Sequence, residues 1–151
     1  MKWLILAHVL FSIFGLGPIF FGNILLKKQQ TLSDLRHNVI LFHKLELFPK
    51  IGGTLSVITG ILLVLFGSYG SMLQIWLIGS LVLYVAIIVL VIGIISPTVN
   101  SLQNWLFHPS NRATTQLPSN QLVKLIRASN YLMLTSLLAI IIFILMILKP
   151  I

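Results

Sequence analysis

Acidic residues and cysteine are scarce in this sequence: the chain has two acids, Asp34 and Glu46, and no cysteine among its 151 residues. Without cysteine there is neither a disulfide framework nor a thiolate metal site. Two acids provide no paired-carboxylate site, no carboxylate-rich magnesium cage and no relay of carboxyl groups for proton coupling across a bilayer. The composition therefore argues against hydrolytic chemistry and against a proton-coupled pump of aqueous solutes.

Charged residues of either sign are also rare, and apolar residues predominate. Charged residues make up 8% of the chain and hydrophobic residues 58%, with a mean hydropathy of +1.06. Four runs approach or exceed the ~20 apolar residues that cross the hydrocarbon layer of a membrane. Each run must be helical because lipid offers no partner for backbone amides. The sequence predicts an all-α integral membrane four-helix bundle forming a single domain over residues 1–151, with spans at about 3–26, 47–66, 75–96 and 128–148.

The basic residues predict how the chain is oriented in the membrane. Eight of the ten basic residues belong to the connections between spans 1 and 2 and between spans 3 and 4, counted to the membrane edge. They are Lys27, Lys28, Arg36, Lys44, Lys50, Arg112, Lys124 and Arg127. Cytoplasmic loops carry such an excess of lysine and arginine. We therefore expect both long connections on the cytoplasmic side, near anionic lipid, and both termini outside. The basic residues form no nucleic-acid-binding motif, so the net charge of +8 does not indicate that partner.

Two further helical segments are expected on the cytoplasmic side. Thr31 and Asp34 have the spacing of a capped helix start, and a helix from there to Phe66 would be ~52 Å long, well beyond the membrane thickness. Span 2 therefore has a predicted cytoplasmic extension, with a bend at Pro49. After span 3, apolar residues at helical spacing predict a short helix in the membrane interface that ends before Pro109.

Small residues recur at intervals of four or seven along the spans and predict faces on which neighbouring helices pack closely. They are Gly15 and Gly22 in span 1, Gly52, Ser56 and Gly60 in span 2, and Gly79, Ala86 and Gly93 in span 3.

Glu46 is predicted to lie at the inner membrane edge in a structural ion pair. Counted from the outer ends of their helices, Glu46 and Arg127 both lie ~31 Å deep, and Lys50 follows Glu46 by one helical turn. Arg127, Lys50 or both would neutralise Glu46. The alternative is that this cluster binds an anionic lipid or another anionic ligand.

His8 is the one ionisable side chain predicted inside a span, and such groups are candidates for function. It could hold a b-type haem, or it could simply bond a neighbouring serine or carbonyl group. The other three histidines, His37, His43 and His108, belong to the opposite side, which excludes a haem held by two histidines of one chain. A copper(I) site of His8 with Met1, Met72 and Met146 is a further alternative, although methionines in lipid are usually apolar filler.

The stretches "LAHVLFSIFGLGPIFFGN", "VITGILLV" and "IWLIGSLVLY", together with Pro97, resemble an uncharacterised family of small bacterial four-helix membrane proteins. That family is distantly similar to the CopD copper-resistance domain and to HemJ-type protoporphyrinogen oxidase. The resemblance implies a bacterial cytoplasmic membrane location and associates the first-helix histidine, His8 here, with haem or copper.

Three functions follow as alternatives. The first is binding of haem or another hydrophobic or metal-centred ligand near His8, and an enzyme of this kind would be a haem-dependent oxidoreductase. The second is a non-catalytic accessory subunit, or a homo-oligomer, whose small-residue faces dock other membrane helices. The third is copper transport or resistance.

Overall fold

A computed structural model describes residues 1–67 and 74–149 of the protein, and the regular secondary structure in those residues is helical. Within those residues there is no strand, so the predicted fold class is confirmed. The helices are α1 (Lys2–Leu25), α2 (Leu32–Leu45), α3 (Leu47–Phe66), α4 (Ile75–Leu90), α5 (Ser96–Leu106) and α6 (Ser119–Leu148). A π-helical turn (Val91–Ile95) joins α4 to α5, and a 3-10 turn (Pro109–Asn111) follows α5.

These elements combine into four long apolar helices of membrane-crossing length. They are Lys2–Leu25, Leu32–Phe66, Ile75–Leu106 and Ser119–Leu148. The predicted spans fall within or close to these helices. The fourth helix begins at Ser119, nine residues before the predicted span. The prediction missed its first turns because they are polar and hydropathy does not detect them.

The predicted extension of the second span is present as α2. Its start is capped as expected, since the Thr31 hydroxyl accepts from the Asp34 amide at 3.1 Å. The helix is interrupted at Glu46 and resumes at Leu47. Pro49 explains the interruption, because it has no amide hydrogen to donate to the Leu45 carbonyl and its ring clashes sterically with that carbonyl in a regular α-helix.

The short helix expected after the third span is present as α5, and it is joined directly to that span. α5 continues α4 through the π-helical turn, which ends two residues before Pro97. Proline has no amide hydrogen, and the wider π-helical turn accommodates the hydrogen bond that is missing from the α-helical pattern. The apolar face of α5 does have the predicted helical spacing, since Val99, Leu102 and Leu106 are at most 1% exposed. That face packs against α2 and α6 and is covered by protein.

The helices pack in the order α3, α1, α6, α4. α1 contacts α3 and α6 along its length, and α6 contacts α4. α3 and α4 do not pack along each other within the described residues. A cleft therefore separates α3 from α4, and α1 and α6 form its floor.

The closest helix contact is between α1 and α3. A Cβ atom added at Gly15 would lie 2.7 Å from the Gly53 backbone nitrogen, and one added at Gly52 would lie 2.7 Å from the Gly15 nitrogen. The two backbones therefore touch, which only glycine permits.

The other small residues predicted to mediate packing lie in varied surroundings. Gly22 contacts Leu132 and Phe42 side chains, Gly60 contacts the His8 ring, and Gly79 lies near Leu145. Ala86 is half-buried, and Ser56 is hydrogen-bonded to α1. Gly93 is exposed, and no atom of the described residues lies within 4 Å of a Cβ added there.

Candidate functional site

The cleft between α3 and α4 holds a groove of about 270 Å³, which we call the α3/α4 groove. Leu16 and Ile19 of α1 and Leu132 of α6 line its floor, and Ile87 and Ile88 of α4 line one wall. Several lining residues are surface-exposed, so the groove opens sideways to the surroundings of the bundle. It is therefore an apolar groove that a hydrocarbon chain could enter from a bilayer.

One end of the groove is polar. Glu46, Lys50 and Ser96 line it there, at the end of the bundle that carries the basic connections. The Ser96 hydroxyl donates to Glu46 Oε1 at 2.7 Å, which links α5 to the junction of α2 and α3. The Nδ1 atom of His43 lies 3.4 Å from Glu46 Oε2. Glu46 is thus held from two sides while its side chain remains 15% exposed.

The structure gives Glu46 other partners than the predicted ion pair. Neither Lys50 nor Arg127 forms a salt bridge with Glu46 in the part of the chain that is described. Arg127 is exposed, and its guanidinium carbon lies 6.0 Å from the Tyr131 ring centroid. Lys50 is exposed at the groove mouth. Ser96 replaces them because the continuous α4–α5 helix carries its hydroxyl to Glu46.

Tyr84 closes the groove at its apolar end. Its hydroxyl would lie 2.5 Å from a Cβ added at Gly53, so the tyrosine reaches across the cleft from α4 to α3. Only a glycine on α3 leaves room for it. The groove therefore runs between a tyrosine bridge at one end and the Ser96–Glu46 hydrogen bond at the other.

His8 lies outside the groove and joins α1 to α3. Its Nδ1 atom is 2.9 Å from the Ser56 carbonyl oxygen and 3.1 Å from Thr59 Oγ1. Ser12 supports the same contact, since its hydroxyl donates to the His8 carbonyl at 2.7 Å and lies 2.6 Å from Ser56 Oγ. A carbonyl can only accept, so Nδ1 carries the proton, and Nε2 of the neutral ring keeps a free lone pair. His8 thus makes the carbonyl contact expected of a packed histidine, and it also presents one nitrogen as a ligand.

The histidine and the groove are separated along α1. His8 precedes Gly15, which lines the groove, by seven residues or ~10 Å of helix. No histidine lines the groove within the described residues. A ligand in the groove would therefore contact aliphatic side chains, Tyr84 and the polar end, and not the imidazole of His8.

The methionines predicted as copper ligands lie in different surroundings. Met1 is 57% exposed, and Met146 is a partly buried side chain packed against the core. Met72 lies outside the described residues. In residues 1–67 and 74–149 there is also no cluster of three or more His, Asp or Glu side chains that could hold a metal ion.

Two residues of the groove, Ser96 and Tyr84, carry no signal in the sequence, because both belong to the third apolar run and no motif marks them. His43 precedes Glu46 by three residues, a spacing at which two side chains of one helix can meet. A contact such as Ser96–Glu46, fifty residues apart, depends on how the helices are turned around their axes. Hydropathy and spacing report depth along a helix but not that rotation.

The four apolar helices of membrane-crossing length define a multi-pass integral membrane protein. Residues 1–150 match the family described as "Predicted integral membrane protein (DUF2269)", and the chain belongs to that family. The resemblance to a family of four-helix membrane proteins is thereby confirmed, while the similarity to the CopD domain and to HemJ-type oxidases stays a prediction. No curated protein and no solved structure matches the chain.

Proposed function

We propose that this membrane protein binds a hydrophobic ligand from the bilayer in the α3/α4 groove. The observation that carries the proposal is the separation of α3 from α4, which leaves an apolar groove open to the side. A volume of about 270 Å³ is near the lower end of the ~300–1,000 Å³ of small-molecule sites, which suits a single chain better than a broad planar ligand.

The length of the groove supports a membrane-derived ligand. Along the continuous α4–α5 helix, Tyr84 and Ser96 are twelve residues apart, or ~18 Å at 1.5 Å per residue. Half of a hydrocarbon layer ~30 Å thick is ~15 Å. On α3 the same two ends, Gly53 and Glu46, are seven residues or ~10 Å apart, so the length of the groove is of the order of one leaflet, with its polar end where lipid headgroups lie.

The same observations support a placement in the membrane. The polar end of the groove, both basic connections and the α2 extension lie at the same end of the bundle. By the positive-inside rule this end faces the cytoplasm, with both termini outside, in the cytoplasmic membrane of a bacterium. The groove then accepts its ligand from the inner leaflet.

Filling the groove tests the proposal. Ile88 lines the groove and Val89, its neighbour, faces away from it; both are substantially exposed. We expect Ile88→Trp to lower the amount of phospholipid that stays bound to the detergent-purified protein in native mass spectrometry. Val89→Trp is the matched control and should retain lipid as the unmodified protein does. Equal retention by both variants would contradict a groove site.

A second candidate function is haem binding at His8. The Nδ1–carbonyl hydrogen bond favours it, because histidines that ligate metals usually donate their other ring proton to such a group. His8 Nε2 would hold the iron of a haem, and the described residues contain no group of three or more His, Asp or Glu side chains that could add ligands. The ring also packs on Gly60, where a Cβ would lie 3.1 Å from His8 Cε1. Loss of a Soret band in His8→Ala would support this function.

A third candidate function, an accessory subunit or a homo-oligomer, rests on Gly93. This glycine is exposed on the π-helical turn and has open space beside it, as a surface for another helix would have. Gly93→Leu should then weaken an association detected by co-purification or by light scattering in detergent, without lowering the thermal stability of the single chain.

A further inference from the structure

The polar end of the α3/α4 groove carries both signs of charge. Glu46 and Lys50 line the groove together, yet they form no salt bridge with each other within the described residues. Lys50 is exposed and donates no hydrogen bond to any described residue. A ligand at this end would therefore meet a free ammonium group and a separate carboxylate.

The carboxylate of Glu46 is fixed in place but not saturated. Ser96 donates to one oxygen and His43 approaches the other. An ionised carboxylate has about four acceptor positions, so a further donor can still bind it. Because Ser96 and His43 restrain the side chain, Glu46 is pre-organised to receive that donor.

From this arrangement we infer the headgroup of the ligand, an inference that rests on the proposed function. We propose that the groove binds a zwitterionic phospholipid with a primary amine in its headgroup, such as a phosphatidylethanolamine. The acyl chain lies along the groove, the phosphate contacts Lys50, and the ammonium group donates to Glu46.

Charge complementarity separates this ligand from other phospholipids. An anionic headgroup without an amine satisfies Lys50 but brings its negative charge towards Glu46. A choline headgroup has the right charges but no N–H, so it cannot donate to the carboxylate. Only an amine-bearing zwitterion satisfies both side chains, since hydrogen bonds between ionised groups are the strong ones.

The orientation of the groove agrees with this assignment. The charged side chains lie at one end, and the rest of the groove towards Tyr84 is mostly aliphatic. A phospholipid in its own leaflet has the same order of parts, with a charged head at the membrane surface and a chain reaching the midplane. The lipid can therefore enter sideways without turning over.

A competition among headgroups tests the inference. The full-length protein is reconstituted with equal amounts of dioleoyl phosphatidylethanolamine, phosphatidylcholine and phosphatidylglycerol, and the lipids bound after detergent extraction are counted by native mass spectrometry. We expect phosphatidylethanolamine to be retained about three- to tenfold over the other two, the range of one partly exposed charged contact.

Variants at the polar end separate the two contacts. Glu46→Gln keeps an oxygen that can accept from Ser96 but removes the charge, and it should abolish the preference for the amine. Glu46→Asp keeps the charge and should retain part of the preference, which guards against a folding effect of the Gln variant. Lys50→Gln should lower binding of all three lipids. Lys44→Gln, an exposed lysine that does not line the groove, should change nothing.

Two results would overturn the inference in different ways. If the protein retains phosphatidylglycerol at least as well as phosphatidylethanolamine, the headgroup assignment is wrong. The groove itself would still stand in that case, provided that Ile88→Trp reduces lipid binding. If Ile88→Trp and Val89→Trp retain lipid equally, the proposed function fails and the headgroup inference fails with it.

Discussion

The contact between α1 and α3 yields a prediction that can be worked out from the structure. In Gly15→Ala the new methyl group would lie 2.7 Å from the Gly53 nitrogen and 3.0 Å from the Gly52 carbonyl carbon. These are backbone atoms of a packed helix, so no side chain can turn away to make room. The two helices must separate, and overpacking of this kind costs about 1–3 kcal/mol.

Gly17 provides the matched control. It lies two residues further along the same helix, and a Cβ added there has nothing within 4 Å. Gly17→Ala should leave stability unchanged or raise it by up to ~1 kcal/mol, because alanine has the higher helix propensity. Both variants therefore add one methyl group to α1. Gly15→Ala is expected to lower the free energy of unfolding, whereas Gly17→Ala is expected to leave it unchanged or raise it.

The assay is reversible unfolding in mixed micelles with increasing dodecyl sulfate, followed by circular dichroism. We expect the unfolding midpoint of Gly15→Ala to fall and that of Gly17→Ala to stay or rise. If the two variants unfold together, α1 and α3 do not touch at Gly15, and the order of helix packing described here is wrong.

Three further predictions address the polar contacts and the orientation. His8→Ala should lower the free energy of unfolding by about 1–3 kcal/mol, because the Ser56 carbonyl and Thr59 lose their α1 partner; an unchanged midpoint would contradict the contact. Ser96→Ala removes the 2.7 Å hydrogen bond to Glu46 and should cost about 1.5–3 kcal/mol in the same assay, whereas an unaffected midpoint would show that Glu46 is held by other groups. Thr115→Cys, in a chain without other cysteines, should resist a membrane-impermeant maleimide applied to intact cells, and rapid labelling would reverse the orientation.

Most of the fold was predictable from the sequence because lipid imposes strong rules on it. Four apolar runs had to be helices, and the helices of the structure contain or closely match them. The capping pair Thr31 and Asp34 marked the start of α2 correctly. The direct join of α4 to α5 was missed, because Pro97 reads as a helix end and a π-helical turn has no composition of its own.

The candidate site was less predictable, for a geometric reason. Depth along the membrane normal made Arg127 and Lys50 suitable partners for Glu46, but depth does not specify the direction in which a side chain points. The groove depends on α3 and α4 not packing together, and small-residue spacing in both helices favoured close packing everywhere. Gly93 shows this limit, since its spacing matches that of Gly79 and yet it faces outwards.

The most direct test of the central claim is an experimental structure of the protein in a lipid environment, such as a lipidic mesophase. We expect α3 and α4 to remain apart, with tubular density for one acyl chain running from Tyr84 to the Ser96–Glu46 contact. A structure in which α3 and α4 pack along their length, with no space between them for a chain, would contradict the claim.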